Sequence, residues 1–403
     1  MHRAWRAAFP ALTQEVNGKP LVYLDTAATA LRPQPVIDAI SSFYARENAN
    51  PGAALHTLAR RANAALEGAR ATVASFIGAN DPLEVVFTRG TTEGLNLVAN
   101  GWGRGNLKPG DEILIGASEH SSNMLPWRCV ARATGARVVY FGVDAEGHPR
   151  LDDILDKLTP NTRIVAFSHV SNVLGMVNPA SEICARVRGA GRIVVVDGAQ
   201  SVPHFPVNVR ELGCDFMAFS SHKMLGPMGV GVLWGRRDVL DAMAPYQAGS
   251  NMAHDVDLET EHLSSGALRF GAGTPNASGP IGLAAAITFI RGLGQDAIIA
   301  HEREINRRML ERFGAIRGVR LLGSRDPDRR VSVFSFTVEQ RMPLDILRVM
   351  DAEGIAIRAG DLASLPLLRH FGVSAAARAS CYLYTSLADV DRFADVLERA
   401  AGS

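Results

Sequence analysis

The chain has 403 residues, 47% hydrophobic and 21% charged, with a formal net charge of +1. That length points to a large domain plus a smaller one, and so even a charge balance gives no basic field of the kind nucleic acid requires. No run of about 18 uncharged apolar residues occurs, so no membrane span is expected, and the opening MHRAWRAAFPALTQ lacks the apolar core of a signal peptide.

In chain order, residues 1–19 are expected to join a C-terminal small domain, with a large domain over 20–285. From about residue 64 to 235, short β-branched runs alternate with helix-like stretches. The runs are Val85–Thr88, Ile113–Ile115, Val138–Phe141, Ile164–Phe167, Ile193–Val196, Phe216–Phe219 and Val230–Trp234, and Ala180–Gly189 is typical of the helical stretches between them. Such alternation predicts an α/β fold: a mainly parallel seven-stranded sheet with helices on both faces. The text then changes character. Leu283–Phe313 reads as a long, helix-rich stretch, Val331–Val338 as strand, Pro343–Glu353 as helix, Ile355–Arg358 as a short strand, and a last helix begins at Ala388. This predicts a small α+β domain over 1–19 and 286–403. Four cysteines, Cys129, Cys184, Cys214 and Cys381, stand apart with no CxxC. Their scatter argues against a zinc site or a disulfide framework, so no metal is expected and the cytoplasm is the expected compartment.

In open parallel sheets ligands bind where strands end, so the residues after each run are where chemistry is sought. After Val85–Thr88 comes Arg89-Gly90-Thr91-Thr92-Glu93-Gly94, a glycine turn with two hydroxyls opening a helix. Free N–H groups there suit a phosphate, although an ordinary N-cap reads the same way. After Ile193–Val196 comes Asp197-Gly198-Ala199-Gln200. A carboxylate at the end of a buried strand needs a cation or several donors, and a protonated pyridine nitrogen or a helix cap would both serve. Phe216–Phe219 runs into Ser220-Ser221-His222-Lys223-Met224-Leu225-Gly226-Pro227, where an interior lysine can act as a Schiff-base nucleophile. A lone lysine is usually a solvated charge. Anion cradle, acid and lysine on successive strand ends are together what a pyridoxal-phosphate pocket needs. His120, after Ile113–Ile115, is placed to stack on the cofactor ring, and Asn172, after Ile164–Phe167, to bond the ring hydroxyl or a substrate carboxylate. Arg358 and Arg378 flank a loop of the small domain, and arginine is well shaped to grip a carboxylate.

These segments resemble the class V aminotransferases, in particular the cysteine desulfurase and selenocysteine lyase branch of pyridoxal-phosphate enzymes of fold type I. The likeness runs through Tyr23-Leu24-Asp25-Thr26-Ala27-Ala28, Arg89 to Gly94, Glu119-His120, His169-Val170-Ser171-Asn172, Asp197 to Gln200, His222-Lys223, Gly273-Thr274-Pro275-Asn276 and Arg378-Ala379-Ser380. It therefore covers nearly the whole chain. The resemblance implies a Schiff base at Lys223, Asp197 on the pyridine nitrogen and His120 stacked on the ring. It implies Thr91, Thr92, Ser220 and His222 on the phosphate, Asn172 and Gln200 on the ring oxygen, and Ala28, Asn172, Arg358 and Arg378 around a small amino-acid substrate. It also implies a homodimer in which Thr274 reaches the partner's cofactor.

The departures bear on the reaction. The family carries a sulfur-accepting cysteine in the loop after the position of Arg358, and here that loop reads Arg358-Ala359-Gly360-Asp361-Leu362-Ala363-Ser364-Leu365-Pro366, with Ala363 in the cysteine's place. A methyl group is no nucleophile, and the Ser364 hydroxyl is too basic to accept sulfur usefully. Gly52-Ala53 replaces a family His-Arg pair upstream of His56, and Gly271 replaces a glutamate. Cys381 and Cys214 are expected to be buried structural thiols. Three readings follow. The first is an enzyme that works through Lys223 without a loop persulfide, as a C–S or C–Se lyase, β-eliminase, epimerase or aminotransferase. The second is a true cysteine desulfurase using another thiol, and the third is a non-catalytic sulfur-pathway binding partner. The first ranks ahead because Lys223, Asp197 and His120 are all present, and it gives no reason to expect a sulfur-acceptor protein.

Overall fold

The computed structural model describes residues 2–52, 55–189 and 191–402. Ala53, one of the two departures near His56, lies outside the described residues.

Seven strands form the main sheet: β1 (Val85–Thr88), β2 (Glu112–Gly116), β3 (Arg137–Phe141), β4 (Thr162–Ser168), β5 (Ile193–Asp197), β6 (Phe216–Ser220) and β7 (Gly231–Gly235). Their spatial order is β1-β7-β6-β5-β4-β2-β3. Neighbours from β6 through to β3 are parallel, whereas β7 runs antiparallel to both β6 and β1. The turn from β6 to β7 is too short for the crossover a parallel return requires, which fixes that direction. Because β1 and β6 both oppose β7, they point the same way, and the carboxyl ends of six strands gather on one edge.

The strands read as unbroken apolar runs because both faces are covered. Alternate residues divide between two apolar clusters, as a period of two dictates. Leu114, Val165, Val194, Val196, Met217 and Phe219 face one cluster, shared with Ile183 and Val187 of helix Ala180–Val187 and Leu283 and Ile287 of helix Ser278–Leu293. Ile113, Ile115, Ile164, Val195, Phe216 and Ala218 face the other, shared with Leu95 and Leu97 after β1 and Trp127 and Val130 of helix Leu125–Thr134. Each such buried side chain contributes about 1.5–3 kcal/mol relative to exposure. Gly231 marks the tightest approach: a Cβ there would sit 2.4 Å from Gly90 Cα, so a side chain would push the β1 turn outward.

A second, antiparallel sheet comprises β8 (Val319–Leu321), β9 (Val333–Val338), β10 (Arg358–Gly360) and β11 (Ala376–Ser380), in the order β8-β9-β11-β10. Helices Gln295–Ala315, Pro343–Ala352 and Leu387–Gly402 back it through Met309, Phe313, Met350, Phe393 and Leu397. One expectation needs correction. The single strand expected over Ile355–Arg358 is two: Ile355–Ala356 pairs with Val22–Tyr23, and Arg358 onward pairs with β11. The helix-rich stretch over Leu283–Phe313 falls within two helices that meet at Gly294, whose φ of +84° leaves the helical region. Trp5 and Phe9 pack in the first main-sheet cluster, while Val22 and Leu24 pack in the cluster of the second sheet. The N-terminal segment thus ties the two sheets together. No single helix among the described residues is long and apolar enough to cross a membrane.

Candidate active site

The second sheet faces the carboxyl edge of the first across a cavity of about 410 Å³. Strand ends supply its floor. Past β1, Thr91 starts a helix and donates its backbone N–H to Ser220 Oγ at 2.8 Å, while the two hydroxyls lie 2.7 Å apart. Thr92 Oγ1 meets Ser122 Oγ at 2.8 Å. Thr91, Thr92, Ser220 and His222 together make one polar end of the cavity.

Asp197 ends β5, buried, with Oδ1 accepting the Ala199 N–H at 2.9 Å. Burial pushes its pKa up, and the neighbouring Lys223 charge pulls it back. Such an acid is stabilised by a cation. Lys223 opens into the cavity and is otherwise enclosed by protein. Burial pushes its amine down to about 8, with Arg378 acting in the same direction and Asp197 opposing. The amine therefore supplies a free base near neutral pH far more readily than an ordinary lysine. His120 caps the turn Ser121–Asn123, its Nδ1 accepting the Ser122 N–H at 3.1 Å, which leaves Nε2 to carry the proton. Burial, then the Lys223 and Arg378 charges, lower it to about 4, so the ring is neutral. Burial likewise lowers His222 to about 4.

The second sheet supplies the opposite wall. Arg378 of β11 is 3% exposed and donates through Nη1 to Asn172 O at 2.9 Å. Its Nε has no partner, and Asp25 lies 3.7 Å from Nη2. Burial lowers its pKa to about 10, which leaves it charged at neutral pH. Arg358 is engaged differently: it forks onto Asp25 with bonds of 3.1 and 2.7 Å. Both arginines line the cavity, Arg358 turned onto Asp25 and half exposed, Arg378 buried and with no carboxylate within bonding distance.

The loop after β10 closes this wall. Ala363 O accepts both the N–H and the hydroxyl of Ser121, at 2.7 and 2.9 Å. Asn172 Nδ2 donates to Leu362 O at 2.9 Å, and Ser364 Oγ donates to Asn172 Oδ1 at 3.1 Å. Leu362 and Ala363 have φ of 52° and 54°, a left-handed conformation that costs a non-glycine residue about 1–2 kcal/mol. Leu362 is buried against Val173, Leu174 and Leu367. The loop is a packed wall.

Of the expected site residues, Ala28, Thr91, Thr92, His120, Asn172, Asp197, Gln200, Ser220, His222, Lys223, Arg358 and Arg378 all line the cavity. Gln200 is committed to Ala27 O at 2.8 Å. Thr274 does not share this cavity. It lines another of about 310 Å³ with Arg89, Glu93 and Tyr246, on the outer side of the β1 turn. Sequence reasoning assigned no role to Asp25, although its acid holds Arg358. It also passed over Glu119, whose buried carboxyl bonds Asn123 at 2.7 Å and Ser168 Oγ at 3.2 Å, next to Asp197. Burial raises Glu119 to about 8. Both acids sit inside quoted motifs, and that placement was the available signal. Among the described residues no cysteine lines the cavity. Cys129 is exposed on helix Leu125–Thr134, and Cys184, Cys214 and Cys381 are buried with thiols pushed up by burial.

Residues 22–393 match the family model described as Aminotransferase class-V. A probable cysteine desulfurase of Halalkalibacterium halodurans is 45% identical over 391 residues, covering 97% of this chain and 96% of that one. Probable cysteine desulfurase 1 of Mycobacterium leprae is 43% identical over 399 residues; the match takes in 99% of this chain and 65% of the relative's length. Among solved structures, the cysteine desulfurase CsdA (S-sulfonic acid) from Escherichia coli superposes with a TM-score of 0.91 at 36% identity, over 100% of this chain and 98% of that one. The chain belongs to the class V aminotransferase family and has its type I fold. It is a pyridoxal-phosphate-dependent enzyme of the cysteine desulfurase-like kind.

Proposed function

From that membership we propose that this enzyme acts on a small α-amino acid and releases the substituent on its β-carbon directly, with no persulfide formed in the cavity. The observation that carries this is the combination of Lys223, Asp197 and Arg378 around one cavity with no thiol on its lining.

The cavity fits the cofactor. A hydroxyl-lined end suits its phosphate, and a buried, singly bonded carboxylate suits its pyridinium. Thr91, Thr92, Ser220 and His222 would hold the phosphate, and Asn172 and Gln200 would face the ring oxygen. When bound, the pyridoxal ring draws electrons from the substrate's α-carbon and makes the proton there removable. Asp197 would hold the ring nitrogen protonated by offering it a carboxylate in a dry site. Lys223 would hold the cofactor through its aldehyde carbon, and its amine, pushed down by burial, would serve as the base for the substrate's α-proton. His120, neutral and fixed by the Ser122 N–H, would stack on the ring. Arg378 grips the substrate carboxylate with the donors that Asn172 and Asp25 leave free. The reading includes a homodimer, supported by the position of Thr274 in a cavity that shares Arg89 and Glu93 with the cleft outside the phosphate turn. It includes a reducing cytoplasm, which suits four free thiols.

The thiol decides the products. Turning cysteine into alanine requires an acceptor that takes the sulfur as a persulfide. Without one the sulfur leaves as sulfide. The carbon skeleton then gains water and yields pyruvate and ammonia: cysteine plus water gives pyruvate, ammonia and hydrogen sulfide. A second reading, a true desulfurase, is favoured by the names of relatives at 43–45% identity. Giving L-cysteine and β-chloro-L-alanine to the cofactor-loaded enzyme separates the two. Pyruvate and ammonia in equal amounts, with no persulfide on the protein, are expected. Alanine as the main product from cysteine, or a persulfide on any of the four cysteines, would overturn the first reading in favour of the second.

A further inference from the structure

Outside the cavity, one buried cation has no part in the chemistry described above. Arg330 is 4% exposed and forms no ion pair among the described residues. It lies over the Phe334 ring at 4.2 Å and spends its two terminal nitrogens on carbonyls, Nη1 on Ser324 O at 2.8 Å, Nη2 on Leu174 O at 2.9 Å and Val333 O at 2.5 Å, while Nε is buried without a partner. Burying a guanidinium against neutral acceptors alone is costly, and it persists only where the surroundings require those bonds.

What it holds is the loop that ends β4. Three consecutive carbonyls there each accept a side chain, two from the second sheet and one from just before it: Asn172 O from Arg378, Val173 O from Ser335 Oγ at 2.5 Å, and Leu174 O from Arg330. Backbone bonds extend the seam, Val331 N–H to Gly175 O at 2.8 Å and Val177 N–H to Arg329 O at 3.0 Å. Gly175, at φ +71°, has no room for a Cβ, which would lie 2.7 Å from both Val331 O and Val333 O. On its inner side the same loop presents Asn172, which orients Arg378 through its carbonyl and the 362–364 wall through its amide.

We propose that Arg330 is a positioning residue for substrate recognition, fixing Asn172 and through it the Arg378 guanidinium that receives the carboxylate. This rests on the reading of Arg378 given above. Asp197 ends β5 and Lys223 stands on the turn after β6, off these three carbonyls, so the cofactor keeps its anchor and its ring-nitrogen partner while carboxylate binding, which depends on Arg378, takes the loss.

The test compares two ligands of one skeleton. Wild type, Arg330→Lys and Arg330→Met are loaded with pyridoxal phosphate and titrated with L-alanine and with ethylamine, which lacks only the carboxylate, following the cofactor's absorption. Wild type should prefer alanine. Both variants should keep the cofactor band and the ethylamine affinity, and lose alanine affinity by about tenfold, the effect of one misplaced charge-assisted bond. Ser335→Ala, a milder cut in the same seam, should lose about threefold in the same direction. A wild-type preference that survives unchanged in the Arg330 variants overturns the proposal and spares the Arg378 reading. Equal loss for both ligands also overturns it, because a residue that only supports the fold would do that. Should the Arg330 variants not fold, an unchanged ratio in Ser335→Ala overturns it. A wild type with no preference for alanine places the failure in the Arg378 reading itself.

Discussion

The floor and the roof of the cavity are built by different means. The floor comes from strand ends of one sheet: Thr91, Asp197, Ser220 and Lys223 follow β1, β5 and β6, and the ladder itself sets their spacing. The roof comes from a loop whose shape depends on side chains reaching across the sheets, with Ser121 on Ala363 O and Asn172 on Leu362 O. On the proposed reading, cofactor handling belongs to the strand ends, where Thr91, Asp197, Ser220 and Lys223 line the cavity, and substrate handling to the loop, where Ala363 would stand in the place of a thiol. One scaffold can thus keep its cofactor chemistry and change the fate of the leaving atom.

The largest effect should come from the floor. Lys223→Ala removes both the cofactor's anchor and the α-proton base. Turnover should fall by about 10²–10⁴-fold or more, and the absorption band of the anchored cofactor should vanish. Retained turnover in a purified, cofactor-supplemented variant would sink the assignment of Lys223. A smaller but more informative change belongs to the roof. Ala363→Cys places a thiol on the cavity lining at a residue whose backbone already tolerates a Cβ at φ 54°. If the missing thiol alone sets the products, the variant should form alanine from L-cysteine and carry a persulfide visible by mass spectrometry of the intact protein. The pyruvate share should drop by a similar amount. No alanine from a folded, cofactor-bearing variant would mean that the wall differs from a desulfurase in more than one atom.

The two regions also differ in how far the sequence reveals them. The seven strands were legible because strands buried on both faces read as continuous β-branched runs, and residues that end or follow β1, β2, β4, β5 and β6 line the cavity, whereas those after β3 and β7 do not. The split of Ile355–Arg358 was not legible, because Ala356 and Arg358 choose partners, Tyr23 and Arg378, that are remote in the chain. The Asp25–Arg358 fork joins residues 333 positions apart, and nothing local marks it. The three carbonyls held by Arg378, Ser335 and Arg330 carry no sequence signal whatever, since every residue has a carbonyl. Side chains that ride on strand ends can be read from a sequence. Bonds to main-chain atoms across sheets have to be seen.

The mildest probe of the floor is pH. In the cofactor-free protein the Lys223 amine is pushed down to about 8 by burial, helped by Arg378 and opposed by Asp197. Only the unprotonated amine attacks the aldehyde. The rate of pyridoxal-phosphate rebinding should therefore rise about tenfold per pH unit below about 8 and level off above it, where an ordinary lysine would keep rising for about two units more. His120 and His222, lowered to about 4, stay neutral across this window and cannot supply the step. Glu119 can, because burial raises its carboxyl to about 8 beside Asp197. Glu119→Gln, which keeps the shape and the neutral state, separates the two. If the plateau stays in place in that variant, the step belongs to Lys223. If the rate in the variant climbs without a break to pH 10, the wild-type step came from the Glu119 carboxyl, and the lowered amine is wrong.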